Sequence, residues 1–75
     1  MENKSLSEIF SENLRIEMVK QKVSATELTK QTSVSRNTIN LLRSGKAKMI
    51  RFNSIDTVCQ ALSIKPSQLF EQKGK

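Results

Sequence analysis

The sequence predicts an all-α fold, a compact bundle of four to five short helices. Apolar residues recur at intervals of three and four, as on one face of a helix, and the alternation typical of strands is missing. Helix-capping residues stand before several of these apolar segments. A length of 75 residues suffices for one small core. We therefore expect a single domain over residues 1–75, with an ordered core of about residues 5–71.

A first helix is predicted over about residues 6–21. Ser5, with Glu8 three residues later, fits a capping box, and Phe10, Leu14 and Met18 form an apolar stripe at i, i+4 and i+8. We expect this helix to pack across the back of the two that follow it.

The stretch 24–45 predicts two short helices joined by a tight turn. Ser24 with Glu27 fits a second capping box, which opens a helix of about residues 25–31. Ser35 can cap a helix of about residues 36–43, and Gly45 can end it in the left-handed conformation that a Cβ would oppose. The buried face of this pair is marked by Leu28, Val34, Ile39 and Leu42.

The last third of the chain predicts a loop and two more helices. Residues 46–51 are basic and lack a helical pattern. Asn53 can cap a helix of about residues 54–62, and Pro66 suits the first position of a last short helix. The apolar positions expected to complete the core are Ile55, Val58, Cys59, Leu62, Leu69 and Phe70.

The basic charge is concentrated in one window. The chain carries 13 Lys and Arg against 7 Asp and Glu, a net charge of +6. Residues 28–55 contain six basic residues and no acidic one, and the basic and acidic residues elsewhere cancel. A phosphate backbone would select such a footprint. A solvated basic face that serves solubility is the alternative.

Residue types needed for catalysis or metal binding are scarce. The sequence has no His, one Cys and seven scattered carboxylates, so we expect neither an enzyme nor a metal site. No cofactor or small-molecule ligand is evident. Cys59 is expected to be a packed thiol. No apolar run resembles a signal or a membrane span, so we expect a cytoplasmic protein.

The helix over residues 36–43 has two different faces. Ile39 and Leu42 share one face. The opposite face carries four residues suited to base edges: Arg36, Asn37, Asn40 and Leu41. Arginine pairs with guanine, asparagine with adenine, and leucine can touch a thymine methyl group. For Leu41 the alternative is a solitary exposed apolar residue.

Residues 24–45 and the run after them resemble the helix-turn-helix of the lambda-repressor-like family, which includes Cro, phage repressors and Xre-like regulators. They are most similar to small single-domain members with a basic loop and then a run of the form f-d-t-l-d-k-i-C-k-a-L-n-x-x-P-x-x-L. Here that run extends over residues 52–63 and continues to Pro66 and Leu69. The resemblance covers about residues 14–70.

The resemblance implies a lambda-repressor-like fold and a sequence-specific regulator of transcription that binds double-stranded DNA. Such a regulator, of prokaryotic or phage type and a repressor in particular, would read the major groove with the helix over residues 36–43. Contacts to the DNA backbone are expected from Ser35, Thr38, Arg43, Lys46, Lys48 and Arg51. The alternatives are that Ser35 is only a cap, that Thr38 is packed, and that Arg43 pairs with Glu12 or Glu17.

Four positions depart from the family pattern. Lys22 and Ser33 stand where the family often has glycine, and a positive φ at Ser33 costs roughly 1 kcal/mol. Met18 and Arg43 stand where many relatives have an arginine and a glutamate that form an ion pair. Arg43 is therefore expected to turn outward to a phosphate.

Many relatives bind palindromic sites as two-fold dimers, so the resemblance implies a homodimer on DNA. Modest candidates for its surface are Ile9, Ile16, Met49, Ile50 and Phe70. A protein-interaction module of the same fold, such as an antirepressor or an antitoxin, is the alternative function. RNA binding is disfavoured because Tyr and Trp are absent and the Phe residues look buried.

Overall fold

The computed structural model describes residues 4–72, and over those residues it contains five α-helices and no strand. The helices are α1 (Leu6–Gln21), α2 (Ala25–Thr32), α3 (Arg36–Ser44), α4 (Phe52–Leu62) and α5 (Pro66–Leu69). The all-α prediction is confirmed, and the predicted helices begin within two residues of the observed ones. The polar ends, residues 1–3 and 73–75, lie outside the described residues.

Both predicted capping boxes are confirmed. The Glu8 N–H donates to Ser5 Oγ at 3.2 Å, and the Ser5 N–H donates to Glu8 Oε1 at 2.9 Å. Ser24 and Glu27 repeat the arrangement at 3.2 and 3.0 Å. Each box satisfies N–H groups that have no partner within the helix, which explains why α1 and α2 begin where the sequence predicts.

Four helices end at a residue in the left-handed conformation. Lys22, Ser33 and Ser63 have φ of 58°, 63° and 56°, and Gly45 has φ of 79°. The turn at Ser33 is therefore made as the sequence predicts, without glycine. At Gly45 a Cβ would also lie 3.0 Å from Ser11 Oγ. Glycine is needed there both for its backbone conformation and for the close approach of α1.

The start of α4 differs from the prediction. The helix begins at Phe52, Arg51 occupies the N-cap position without a side-chain cap bond, and Asn53 is already inside the first turn. The prediction that Asn53 caps this helix is wrong. Its start is set instead by packing, because Ile50 and Ile55, on either side of it, both contact the core. The predicted role of Pro66 as first residue of α5 is confirmed.

One hydrophobic core joins the five helices. Its fully buried members include Phe10 and Leu14 of α1, Leu28 of α2 and Ile39 of α3. Each such side chain contributes roughly 1.5–3 kcal/mol by leaving water. Cys59 is buried among them as a free thiol, as predicted.

Three polar side chains of α1 hold the carboxyl ends of other helices. Asn13, which is only 3% exposed, donates from Nδ2 to the Leu69 and Glu71 carbonyls at 2.9 and 2.7 Å. Gln21 Nε2 donates to the Leu62 carbonyl at 2.7 Å, and Arg15 Nη1 donates to the Arg43 carbonyl at 3.0 Å. The last carbonyls of a helix lack partners within it, so α1 satisfies the ends of α3, α4 and α5 and fixes their positions.

Candidate nucleic-acid interface

α3 separates its side chains as the sequence predicts. Ile39 and Leu42 are buried against α1 and α2. The predicted base-contact residues face solvent, with Leu41 half exposed at 50%: Arg36, Asn37, Asn40 and Leu41. The helix therefore presents donors, acceptors and one apolar side chain from a rigidly packed support.

The hydroxyl groups at the start of α3 have different roles. The Thr38 N–H donates to Ser35 Oγ at 3.2 Å, which confirms Ser35 as the N-cap. The Ser35 hydroxyl in turn donates to Thr38 Oγ1 at 2.9 Å. Both hydrogen-bonding functions of Ser35 are thus used locally, whereas Thr38 keeps its own proton for another acceptor, such as a phosphate oxygen.

Arg43 does not form the alternative ion pair within the described residues. Glu12 binds Lys4 Nζ at 2.7 Å, and the buried Glu17 lies 3.5 Å from Lys20 Nζ. Arg43 is half-buried rather than fully outward, because its Nε is enclosed beside α1 while Nη1 lies 3.4 Å from Asn40 Oδ1. The guanidinium is thus directed along α3 toward its exposed face.

An open groove joins α1 to the amino ends of α2 and α3. Its basic lining residues are Arg15, Lys22, Arg36 and Arg43, and the first residues of α2 form part of its wall. The first N–H groups of a helix and its dipole favour anions, so the groove is suited to a phosphate. Sequence reasoning missed Arg15 here, because its distance from the start of α2 depends on the packing of α1. It also missed Lys22, although Lys22 precedes α2 by only three residues in the sequence.

The basic loop 46–51 is tied down at two points. The Ser7 hydroxyl donates to the carbonyl of the buried Ala47 at 2.6 Å, and Ile50 packs against the core. The intervening basic side chains are exposed: Lys46, Lys48 and Arg51. A second groove, lined by Thr38 and Leu41 on one side and Arg51 on the other, places the loop beside α3.

Two large apolar side chains next to this loop face solvent. Met49 is 91% exposed and Phe52 is 89% exposed. The expectation that the Phe residues are buried is wrong for Phe52. It occupies the first position of α4, at the edge of the core, and the inward positions of that helix are taken by other side chains. Phe10 is buried, and its ring lies 5.2 Å from that of the half-buried Phe70.

Comparison with known proteins agrees with this geometry. A model of the Cro/C1-type HTH DNA-binding domain matches residues 13–74. The chain belongs to the Cro/C1-type family. The resemblance to lambda-repressor-like proteins is thereby confirmed, and α2 and α3 are the helix-turn-helix of a Cro/C1-type DNA-binding domain.

A bacterial relative is similar in sequence over most of its length. YozG of Bacillus subtilis (strain 168), an uncharacterized HTH-type transcriptional regulator, is 31% identical over 62 residues, which cover 83% of this chain and 74% of YozG. No solved structure matches the chain. Among the described residues, no helix is long and apolar enough to cross a membrane.

Proposed function

We propose that this Cro/C1-type protein is a sequence-specific regulator of transcription, a repressor, that reads the major groove of double-stranded DNA with α3. One observation carries the proposal: the exposed face of α3 bears Arg36, Asn37 and Asn40, while its opposite face is buried. Binding and exclusion of other proteins from the site require no catalytic step, and the protein would act in the cytoplasm with its DNA.

The exposed residues of α3 divide by chemistry. Arg36, at the first position of the helix, can bond to O6 and N7 of a guanine, and Asn37 can bond to N6 and N7 of an adenine. Arg43 Nη1 lies near Asn40 Oδ1, and this leaves the Asn40 amide nitrogen as a donor for a base. Leu41 supplies an apolar contact for a thymine methyl group.

The flanking residues supply sequence-independent binding. Lys46, Lys48 and Arg51 extend from the tethered loop on one side of α3, and Arg43 lies in the basic groove on the other side. Ser35 orients Thr38, whose hydroxyl can donate to a phosphate. These groups would neutralise phosphates on both edges of the groove that α3 enters, so affinity should fall steeply with salt.

Selection of bound duplexes from a random pool tests the proposal in one step. We expect a recovered consensus of a few base pairs per half-site, and we expect affinity for that consensus to exceed affinity for scrambled duplex by at least about 10³-fold. Recovery of no consensus, with equal weak binding of every duplex, would contradict sequence-specific reading.

We also propose that the protein binds a palindromic site as a homodimer, with half-sites about one helical turn apart. Of the candidate surface residues, Met49 and Ile16 are exposed, whereas Ile50, Phe70 and Ile9 are half-buried. Sedimentation on a duplex with one half-site and on a duplex with two measures the stoichiometry. A protein that binds each half-site independently and without cooperativity would contradict the dimer.

A second candidate function follows from the exposure of Met49 and Phe52. Methionine and aromatic side chains are enriched at the centres of protein interfaces. These two residues would suit a protein-interaction module of the same fold, such as an antirepressor or an antitoxin. Purification with a stoichiometric protein partner, together with failure to shift any selected duplex, would favour this alternative.

A further inference from the structure

α1 is apolar on two opposite sides. Phe10, Leu14 and Met18 face the core and are almost fully buried. Ile16 lies about 160° around the helix from Leu14 and is 45% exposed, and Val19, three residues further on, is 76% exposed. Most surface helices of small domains are polar on their outer side, so this face differs from the ordinary amphipathic pattern.

The exposed side of α1 has the residue spacing found where two helices pack along their length. We define the outer stripe as the four positions Ile9, Glu12, Ile16 and Val19. They follow one another at intervals of three, four and three residues. This alternation keeps side chains on one line where two helices pack together along their length. Lys20 borders the stripe, and an open apolar surface is lined by Ile16 and Val19 between these charges.

The charged residues on this face of α1 can pair with those on the same face of a second copy. Glu12 precedes Ile16 by four residues, and Lys20 follows it by four. When two copies of α1 lie antiparallel about a two-fold axis at Ile16, Glu12 of each copy meets Lys20 of the other. A two-fold contact uses the same surface on both partners, and this charge order is the one that such a contact needs.

We propose that the outer stripe of α1 binds a second copy of this chain, with the two α1 helices antiparallel and the two Ile16 side chains in contact at the axis. The inference deepens the homodimer of the proposed function by naming its contact. Glu12 presently pairs with Lys4, but both side chains of that pair are nearly half exposed, so Glu12 can exchange it for Lys20 of the second copy.

The charge distribution favours this surface over the other exposed apolar pair. Met49 and Phe52 lie within the window that has no acidic residue, next to Lys48 and Arg51. Pairing of two copies there would bring only positive charges together, whereas the outer stripe lies outside the window and carries both signs. Val19 also lines the basic groove, whereas Ile9, Glu12 and Ile16 border neither that groove nor the one beside the loop.

The contact is tied to the position of α3. Arg15, adjacent to Ile16, donates to the Arg43 carbonyl at the end of α3. Two copies joined through α1 would therefore hold their two α3 helices in a fixed relative arrangement. An interface formed by three apolar side chains per copy buries less area than a standard protein interface. We therefore expect a weak dimer in free solution.

Sedimentation equilibrium of the full chain over a range of concentrations tests the proposal. The variant Ile16→Glu is expected to weaken association at least tenfold, because two like charges would meet at the axis. Glu12→Lys and Lys20→Glu are each expected to weaken it, and the double variant, which restores opposite charges, is expected to recover it. Phe52→Ser is the matched control and should associate like the wild type. Circular dichroism checks that each variant is folded.

Three results would overturn the inference. These are a wild-type chain that stays monomeric with and without a two-half-site duplex, an Ile16→Glu variant that associates like the wild type, and loss of association in the Phe52→Ser control. Affinity for a single half-site should be equal in wild type and Ile16→Glu. Stripe-dependent association without binding of any duplex would support the α1 contact and overturn the DNA-binding proposal.

Discussion

Replacing Arg36 and Lys46 by alanine should separate reading of bases from neutralisation of phosphates. Arg36 is exposed at the first position of α3, and Lys46 is exposed on the loop that follows the helix. Loss of a bidentate contact to guanine costs about 1–3 kcal/mol, which corresponds to about 5-fold to 150-fold in affinity for the selected site. Binding of Arg36→Ala should also become tolerant of substitution at one base pair.

Lys46→Ala should weaken all duplexes alike, since a phosphate contact carries no sequence information. The slope of log affinity against log salt should fall in magnitude by about 1. Both variants are measured by fluorescence anisotropy on the consensus and on duplexes with single substitutions. Lys65→Ala is the control, because it removes the same charge from the start of α5, a helix that packs on α1 and α4 and, among the described residues, not on α3.

The assignment of α3 would be refuted by an Arg36→Ala variant that keeps both the affinity and the specificity of the wild type. A second refuting result is a Lys46→Ala variant that changes the preferred sequence and leaves the salt slope as it was. If Lys65→Ala weakens binding as much as Lys46→Ala, net charge rather than position determines affinity.

Three further predictions concern stability and reactivity. Asn13→Ala leaves the carbonyls of Leu69, at the end of α5, and of Glu71, just beyond it, without their donor. This should cost about 1–3 kcal/mol, seen by calorimetry as a fall in Tm of at least about 4 °C. A Tm within error of the wild type would contradict the prediction. Ser33→Gly should raise the free energy of unfolding by up to about 1 kcal/mol, because φ at this position is 63°. Gly45→Ala should lower it by more than about 1 kcal/mol. Urea titration measures the sign and size of both changes. Burial raises the pKa of the Cys59 thiol, and Asp56 adds a smaller effect in the same direction. Labelling by a thiol reagent at pH 8 should therefore be slow in the folded protein and fast in urea. Equal rates in the two conditions would show that the thiol is accessible.

The features that the sequence predicts well are those set by neighbouring residues. The start of α1 follows from Ser5 and Glu8, and the two ends of α3 follow from Ser35 and Gly45. At Ser5 and Ser35 the deciding hydrogen bond is made within three residues along the chain, and at Gly45 the left-handed conformation that ends the helix belongs to the residue itself. The residues on the exposed face of α3 are also predicted correctly, because the spacing of residues that share a face depends only on helix geometry.

The features that the sequence does not predict depend on distant parts of the chain. Asn53 has the residue type of a cap, but packing around Ile50 starts α4 earlier. Phe52 is apolar, yet it lies at the edge of the core and its side chain is exposed to solvent. Arg15 reaches the end of α3, 28 residues further along the chain, which no local pattern indicates. Its place in the basic groove could be recognised only once α1 was packed against α3.

The carbonyl contacts made by Asn13, Gln21 and Arg15 also affect how the molecule opens. If α1 detached, the carboxyl ends of α3, α4 and α5 would lose their donors together, and Leu14 would leave the core at the same time. Partial opening is therefore costly, and the amide protons of these helices should exchange with solvent mainly through unfolding of the whole unit. A transition that is cooperative in this way keeps α3 folded up to the melting temperature, so loss of DNA binding on heating should coincide with loss of helical structure.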